Sequence, residues 1–358
     1  MFRKGQPRKE AVLANAGRTA AQDDAGAARL YPLTFEPVFK DYVWGGRRLA
    51  QLGRRLPPEG PVAESWEIAA HEDGTARVAN GRYAGWLLTE LHAELGLELI
   101  GRHNAWAQQR VKFPLLVKLL DANAPLSVQV HPSDDYARLH EGNELGKTEM
   151  WYVLEAEPGA ELILGVTAGT TREGLARGIQ DSRLDPYLHH VAVQAGDHVC
   201  VPAGTLHSIL GGIILLEIMQ NSNTTYRVYD WGRFGHDGKP RPLHVDKALD
   251  VIDLSIVEPQ VGMVQVVDEK PGFRRAVLCR NNYFVTERIE LKAGSVLRGT
   301  CDGETLEIWG AVDGRVEVNG LDLSAVGFAL LPAALGGYAI RAVSGAKLLR
   351  TYTPPPRP

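Results

Sequence analysis

The sequence predicts a mainly β protein of sandwiches or small barrels with a few peripheral helices, and three observations carry that expectation. Turn formers are abundant, with 38 glycines and 21 prolines among 358 residues, as many short strands joined by turns require. Short apolar and β-branched runs recur through the middle of the chain, with turn residues such as Pro158-Gly159 and Ala195-Gly-Asp197 between them. Helical spacing is confined to a few stretches.

In chain order, residues 1–30 carry Arg3, Lys4, Arg8, Lys9 and Arg18 among alanines and short polar residues, without apolar periodicity. They are expected to form a disordered extension. Order is expected from Tyr31-Pro-Leu-Thr-Phe35 onward. Residues 62–78 read as paired strands across a turn. Thr89-Glu-Leu-His-Ala-Glu-Leu-Gly and Thr171-Arg-Glu-Gly-Leu-Ala-Arg-Gly each open on a capping residue and read as short outer helices. Strands are expected at 113–120, 126–131, 149–155, 161–166, 189–193, 198–202 and 212–220. After a link near Glu258-Pro-Gln-Val-Gly262, a second strand series runs over 276–353, with turns at Leu291-Lys-Ala-Gly-Ser, Val312-Asp-Gly-Arg-Val316 and Val318-Asn-Gly-Leu321. The organisation predicted is an extension over 1–30, a catalytic barrel over 31–257 and a second barrel over 258–358.

Composition narrows the function. A hydrophobic content of 44% supports one large or two ordinary cores. The net charge of −4 and pI near 6.3 provide no basic field for nucleic acid, so a small-molecule partner is expected. No apolar run reaches bilayer length, so no membrane partner is expected. Cys200, Cys279 and Cys301 are too few and scattered for a disulfide framework or a thiolate cluster, which points to a reducing compartment and a cytoplasmic location.

One constellation stands out. In Ser127-Val-Gln-Val-His-Pro132, Gln129 and His131 lie two apart and share a strand face. Glu149 in Lys147-Thr-Glu-Met-Trp151 can come from a neighbouring strand. His207 ends the string that begins at Gly196, with Pro202 and Gly204 between. Two imidazoles, a carboxylate and an amide oxygen form a donor set for a divalent ion. His71, His92, His103, His140, His189, His190, His198, His236 and His244 show no such spacing and are read as surface or core residues.

The spacing Gly196, five residues, Pro202, one residue, Gly204, two residues, His207 resembles the second motif of the cupins, the double-stranded β-helix or jelly-roll proteins. Gln129 stands where the first cupin motif has a histidine. Within that superfamily, Phe113-Pro-Leu-Leu-Val-Lys-Leu-Leu-Asp121, Pro125-Leu-Ser-Val-Gln-Val-His-Pro132, Gly146-Lys-Thr-Glu-Met-Trp-Tyr152 and Tyr226-Arg-Val-Tyr-Asp-Trp-Gly-Arg233 resemble type I mannose-6-phosphate isomerase (phosphomannose isomerase), in its shorter bacterial branch. Tyr42-Val-Trp-Gly-Gly46 and Glu64-Ser-Trp-Glu-Ile68 belong to the same likeness, which covers the chain from about Leu33.

The resemblance implies two cupin-type jelly rolls, one zinc ion per chain and a sugar-phosphate substrate, with mannose 6-phosphate and fructose 6-phosphate interconverted; a monomer or homodimer is expected, and the sequence does not distinguish them. It places the zinc ligands on Gln129, His131, Glu149 and His207, the catalytic arginine on Arg227 and the pocket lysines on Lys118 and Lys147. Two positions depart from the longer members: Gly146 replaces a histidine and Asn223 an aspartate.

The residue types suit the chemistry. Aldose–ketose isomerisation by proton transfer needs charge stabilised on oxygen and a proton moved between adjacent carbons, with no electron transferred, so redox-silent zinc suffices. The planar fork of Arg227 suits either a phosphate or an enediolate. Lys118, Lys147 and a metal-bound water compete for the role of base. Plainer readings compete too: Lys118 pairing a buried carboxylate, Lys147 facing water, Arg227 clamping Asp230 or Glu217. A metal-dependent cupin oxygenase and a non-catalytic sugar-phosphate-binding cupin are the alternative functions. In the second barrel, Gly327-Phe-Ala-Leu-Leu-Pro332-Ala-Ala-Leu-Gly-Gly337 parallels the Gly196 string with glycine at the place of His207, so that copy is expected to hold no metal.

Overall fold

The computed structural model describes residues 30–356; apart from Leu30, the extension expected over 1–30 lies outside them. The first barrel contributes β1 (Val38–Lys40), β2 (Glu64–Ile68), β3 (Leu115–Ala122), β4 (Val128–Val130), β5 (Glu149–Ala156), β6 (Glu161–Val166), β7 (Leu188–Ala192), β8 (His198–Val201), β9 (His207–Ile209), β10 (Ile213–Gln220) and β11 (Tyr226–Tyr229). They form a six-stranded sheet, β8-β5-β10-β3-β2-β1, facing a five-stranded sheet, β7-β6-β9-β4-β11. This is a jelly roll.

The second series is β12 (Gln265–Lys270), β13 (Phe273–Arg280), β14 (Val285–Leu291), β15 (Val296–Cys301), β16 (Glu307–Asp313), β17 (Arg315–Val318), β18 (Leu321–Ser324), β19 (Gly327–Leu331), β20 (Gly336–Ala342) and β21 (Ala346–Tyr352). Its sheets run β19-β16-β21-β14-β13-β12 and β15-β20-β17-β18. The larger sheet repeats the strand order of its counterpart position by position, with β16, β21 and β14 standing where β5, β10 and β3 stand. The protein is therefore mainly β, with two jelly rolls and peripheral helices.

Period-two alternation explains why the central strands read as unbroken apolar runs. On β3, Leu115, Val117 and Leu119 point outward into a core shared with the helix Leu88–Leu95 and with Ile308, Leu330 and Leu349 of the second barrel. Leu116, Lys118 and Leu120 point into the first barrel. On β5, Met150 and Tyr152 face outward, whereas Glu149, Trp151 and Val153 face in. Both faces of this sheet are covered, so a polar residue such as Lys118 is committed to the barrel interior.

The helix Arg172–Gln180 is capped by Thr171, whose hydroxyl accepts from Gly174 N at 3.1 Å. The turn Asn319-Gly320 takes positive φ at both residues, 48° and 86°, as a two-residue hairpin needs. Among the described residues, no helix is long and apolar enough to cross a membrane. One expectation is corrected: Cys200 and Cys279 are disulfide-bonded, with Cα atoms 5.9 Å apart. They lie on β8 and β13, strands of different barrels whose packing brings the two residues together across 79 positions of sequence.

Candidate metal centre and active site

Strand register builds the site. On the smaller sheet, His207 of β9 pairs with Gln129 of β4, and Gln129 pairs with Arg227 of β11. Paired residues point to one face, so the three side chains form a row across the barrel interior, stepped by ~4.8 Å per strand. His131, two residues beyond Gln129, joins that face. Across the larger sheet, Trp151, Glu217, Lys118 and Trp66 form the facing row on β5, β10, β3 and β2. Glu149 lies two residues from Trp151 and Glu64 two from Trp66, on the same face.

His131, Glu149 and His207 are each 1% exposed, and one ligand atom from each lies within 4.8 Å of the others. His131 Nε2 is 3.1 Å from Glu149 Oε1, and His207 Nε2 is 3.9 Å from Glu149 Oε2. Each imidazole is anchored through its other nitrogen: His131 Nδ1 to Thr224 O at 2.9 Å, His207 Nδ1 to Thr205 O at 2.8 Å. A carbonyl only accepts, so both Nδ1 atoms carry the proton and both Nε2 lone pairs face the carboxylate. Burial, reinforced by Lys147, holds the His131 imidazole down to about 3, and burial lowers His207 as well. Both rings are neutral near pH 7. Burial alone would raise the Glu149 carboxyl, but Lys147 and His131 hold it well below the usual range. Beside the Lys147 ammonium, two imidazole lone pairs thus converge on one carboxylate in a dry interior, an arrangement that a bound metal ion would satisfy.

Gln129 stands at the rim of this cluster. Its Oε1 accepts from Ser127 Oγ at 3.1 Å and its Nε2 is 3.4 Å from His207 Nε2, so the amide must turn over for its oxygen to join the other donors. Lys147 does not face water: its Nζ is 2.7 Å from Glu149 Oε1 and 3.3 Å from His131 Nε2. Lys118 is buried between Glu64 at 3.3 Å and Glu217 at 3.7 Å, over the Trp66 ring. Its plainer reading, pairing with buried carboxylates, is what the structure places there. Burial would lower its amine, yet Glu64 and Glu217 more than reverse this and keep it cationic. Glu217 is pushed up to about 7, by burial first and then by the Glu149 charge.

Arg227 clamps neither carboxylate proposed for it. Asp230 is held by Arg233 and Arg241, and Glu217 by Lys118 and Trp151. Among the described residues its guanidinium has no ion pair, and Nε has no hydrogen-bond partner. Gln129, His207, Lys118, Lys147 and Arg227 all line one cleft. Tyr42, Glu64, Glu217 and Arg241 line it too, and sequence reasoning had not singled them out for it. Glu64 was legible in principle: Glu64-Ser-Trp66 repeats the Glu149-Met-Trp151 pattern, and in both pairs the indole Nε1 donates to the carboxylate, at 2.6 and 3.1 Å.

The two departures acquire physical accounts. A Cβ at Gly146 would press into the backbone of Ser133 and Asp134 at the start of the helix Asp134–His140, so this chain has no room for the longer members' histidine. Asn223 lines the cleft and donates to Asp73 Oδ2 at 2.7 Å.

The second barrel repeats the pattern with charges reversed. Trp309 Nε1 donates to Glu307 Oε2 at 2.8 Å, as Trp151 does to Glu149. Where β10 carries Glu217 beside Lys118, β21 carries Arg350 beside Glu287, and Arg350 reaches Glu307 at 2.5 Å. A guanidinium thus neutralises the carboxylate that answers to Glu149, and glycine takes the place of His207.

The fold and this cluster define a cupin-type protein with a candidate metal centre in its first barrel. Comparison with known proteins is consistent along the chain. Residues 33–169 match the family described as phosphomannose isomerase type I, catalytic domain. The chain is 46% identical over 223 residues to mannose-6-phosphate isomerase ManA of Bacillus subtilis, covering 62% of this chain and 68% of that protein. It is 38% identical over 326 residues to the probable mannose-6-phosphate isomerase GmuF of the same organism, covering 87% and 96%. The crystal structure of the mannose 6-phosphate isomerase from Bacillus subtilis superposes with a TM-score of 0.79 at 32% identity, over 90% of this chain and 99% of that one. The chain belongs to the type I phosphomannose isomerase family.

Proposed function

We propose that this protein is a zinc-dependent isomerase that interconverts mannose 6-phosphate and fructose 6-phosphate by proton transfer through an enediol(ate). Family membership supports the substrate pair, and the observation that carries the metal reading is the convergence of two neutral, backbone-anchored imidazoles on one buried carboxylate. His131, Glu149 and His207 would hold the ion, with Gln129 as fourth ligand once its amide turns. Zinc bound there would act as a Lewis acid toward the sugar oxygens without redox change.

The remaining work falls to the chain. Arg227, charged and without an ion-pair partner among the described residues, would stabilise the oxygen on which negative charge develops. Lys118, kept cationic by its carboxylates, supplies fixed positive charge rather than a base. Lys147 beside Glu149 and Glu217, whose carboxyl is raised by burial and faces the same interior, would move the proton between the substrate carbons, with a metal-bound water as the competing base. The trapped indoles of Trp66 and Trp151 exclude water from this side.

One ion per chain follows from the second barrel, where Arg350 already neutralises Glu307. An oxygenase would need no such set of cations in the cleft. The test is coupled turnover of mannose 6-phosphate before and after chelation, with zinc restored. Recovery with zinc is the expected result, and no turnover at any metal loading would remove the proposal.

A further inference from the structure

Beyond the cluster, the cleft carries a second guanidinium that the reaction as described does not use. β11 is the edge strand of its sheet, and the chain leaves it at Asp230 into an irregular segment, residues 230–244. That segment folds back over the cleft and returns Arg241 to its wall. It is pinned at several points. Trp231 Nε1 donates to Leu126 O at 2.6 Å, and Arg233 donates to Pro125 O. His236 Nε2 lies 2.6 Å from Asp41 O, adjacent in sequence to the cleft-lining Tyr42. His244 N donates to Arg227 O at 2.8 Å. The loop is thus fastened at each of these points, and Arg241 is held rather than waving in solvent.

Asp230 fixes the orientation of Arg241. Arg241 Nε donates to Asp230 Oδ2 at 2.7 Å and Nη2 to Oδ1 at 2.5 Å, which leaves Nη1 without a hydrogen-bond partner among the described residues and available to the cleft. The same carboxylate also takes Arg233 Nη2 at 2.6 Å. Two guanidiniums, Arg233 and Arg241, therefore share one carboxylate, and the unpaired Arg227 and Arg241 repel each other along the cleft wall. Like charges are brought together at a cost unless a dianion joins them. The other carboxylates of the cleft are engaged elsewhere, Glu64 and Glu217 by Lys118 and Glu149 by Lys147.

Position along the cleft agrees. Across the sheet the order is His207, Gln129, Arg227, so Arg227 stands about two strand spacings, ~10 Å, from the imidazole of the metal cluster at the backbone. Arg241, from the segment that follows this edge strand, lines the same cleft. A six-carbon chain whose carbonyl end lies at the cluster carries its phosphate toward these arginines.

Resting on the isomerase reading above, we propose that Arg241 is the residue that binds the substrate phosphate, with Arg227 between it and the reacting carbons, and that Asp230 is its positioning residue. Arginine matches phosphate through two parallel N–H donors, so lysine is no equivalent at this place.

The experiment uses full-length, zinc-loaded Arg241→Ala and Arg241→Lys proteins. KM and kcat are measured for mannose 6-phosphate, with inhibition by inorganic phosphate and by the neutral hexitol mannitol, together with zinc content. Loss of charge-assisted hydrogen bonds to a dianion predicts a KM raised ~10- to 100-fold in Arg241→Ala. Phosphate inhibition should weaken in parallel, while kcat stays within about threefold, mannitol inhibition is unchanged, and Arg241→Lys falls between. Unchanged KM and phosphate inhibition in both variants would overturn the assignment, as would a fall in kcat at constant KM, or loss of zinc. Wild-type protein without turnover would instead remove the isomerase reading on which the proposal rests, so the two failures are distinguishable.

Discussion

Arg227→Ala separates chemistry from architecture at this site. The side chain is half-buried, pairs with no carboxylate among the described residues, and is held below its ordinary proton affinity by burial and by Arg241. Removing it deletes an uncompensated cation and leaves no partner orphaned, the opposite of breaking a buried ion pair, which costs about 3–5 kcal/mol. The lost packing of its stem is offset by relief of repulsion from Arg241. Stability should therefore change by less than about 1 kcal/mol, a shift in Tm of only a few degrees, ~3 °C. Turnover should behave differently. A guanidinium aimed at developing negative charge contributes about 3–4 kcal/mol to the transition state, so kcat should fall ~10²- to 10³-fold. Coupled detection of fructose 6-phosphate, a thermal melt and elemental zinc analysis on one preparation read all three quantities. Loss of zinc, or a Tm lowered by more than about 8 °C, would show that Arg227 holds the fold and that the reasoning from its unpaired state is wrong.

Other outcomes follow from neighbouring geometry. His207→Ala removes one of two imidazoles from a buried donor set and should leave zinc well below one per chain after dialysis; full occupancy would reject the ligand assignment. Gly146→His should destabilise the protein by about 1–3 kcal/mol in urea unfolding, because a Cβ there meets the backbone of Ser133 and Asp134, and unaltered stability would mean that this turn yields. Glu144 carries a pH-dependent contribution. Burial would raise its carboxyl, but hydrogen bonds from His71 and Lys112 lower it to about 2. A depressed carboxyl stabilises the fold above its ordinary range, near 4.5, and loses that stabilisation as pH falls toward 2. Glu144→Gln should accordingly cost stability at pH 7 and progressively less below pH 4.5; a penalty that persists unchanged at pH 3 would contradict the assignment.

What the sequence disclosed and what it withheld divide along physical lines. The ligand cluster was legible because its logic is local: Gln129 and His131 share a face by period two, and the Gly196 to His207 spacing encodes a strand, a turn and a strand start. Strand positions were legible for the same reason, 161–166 coinciding with β6. The carboxylates around Lys118 were not legible, since Glu64 and Glu217 lie on strands that become its neighbours only through sheet order. Arg241 was missed because a run of glycine, proline and charge reads as solvated loop until it closes over the cleft. The helix Asp134–His140 announced itself only by Ser133, which accepts from Tyr136 N at 3.4 Å. β12 has mostly exposed residues without alternation, so no pattern marked it. The cysteine pair depends on packing between barrels, which no spacing records. The charge reversal at Arg350 and Glu287 likewise becomes visible only when the two sheets are laid strand upon strand.

The most direct test of the central claim is anomalous diffraction at the zinc edge from crystals of the zinc-loaded protein. The account predicts one peak per chain, bonded to His131 Nε2, His207 Nε2 and the Glu149 carboxylate at ~2.0–2.2 Å. A peak at other side chains, or in the second barrel, or none in fully active crystals, would contradict it.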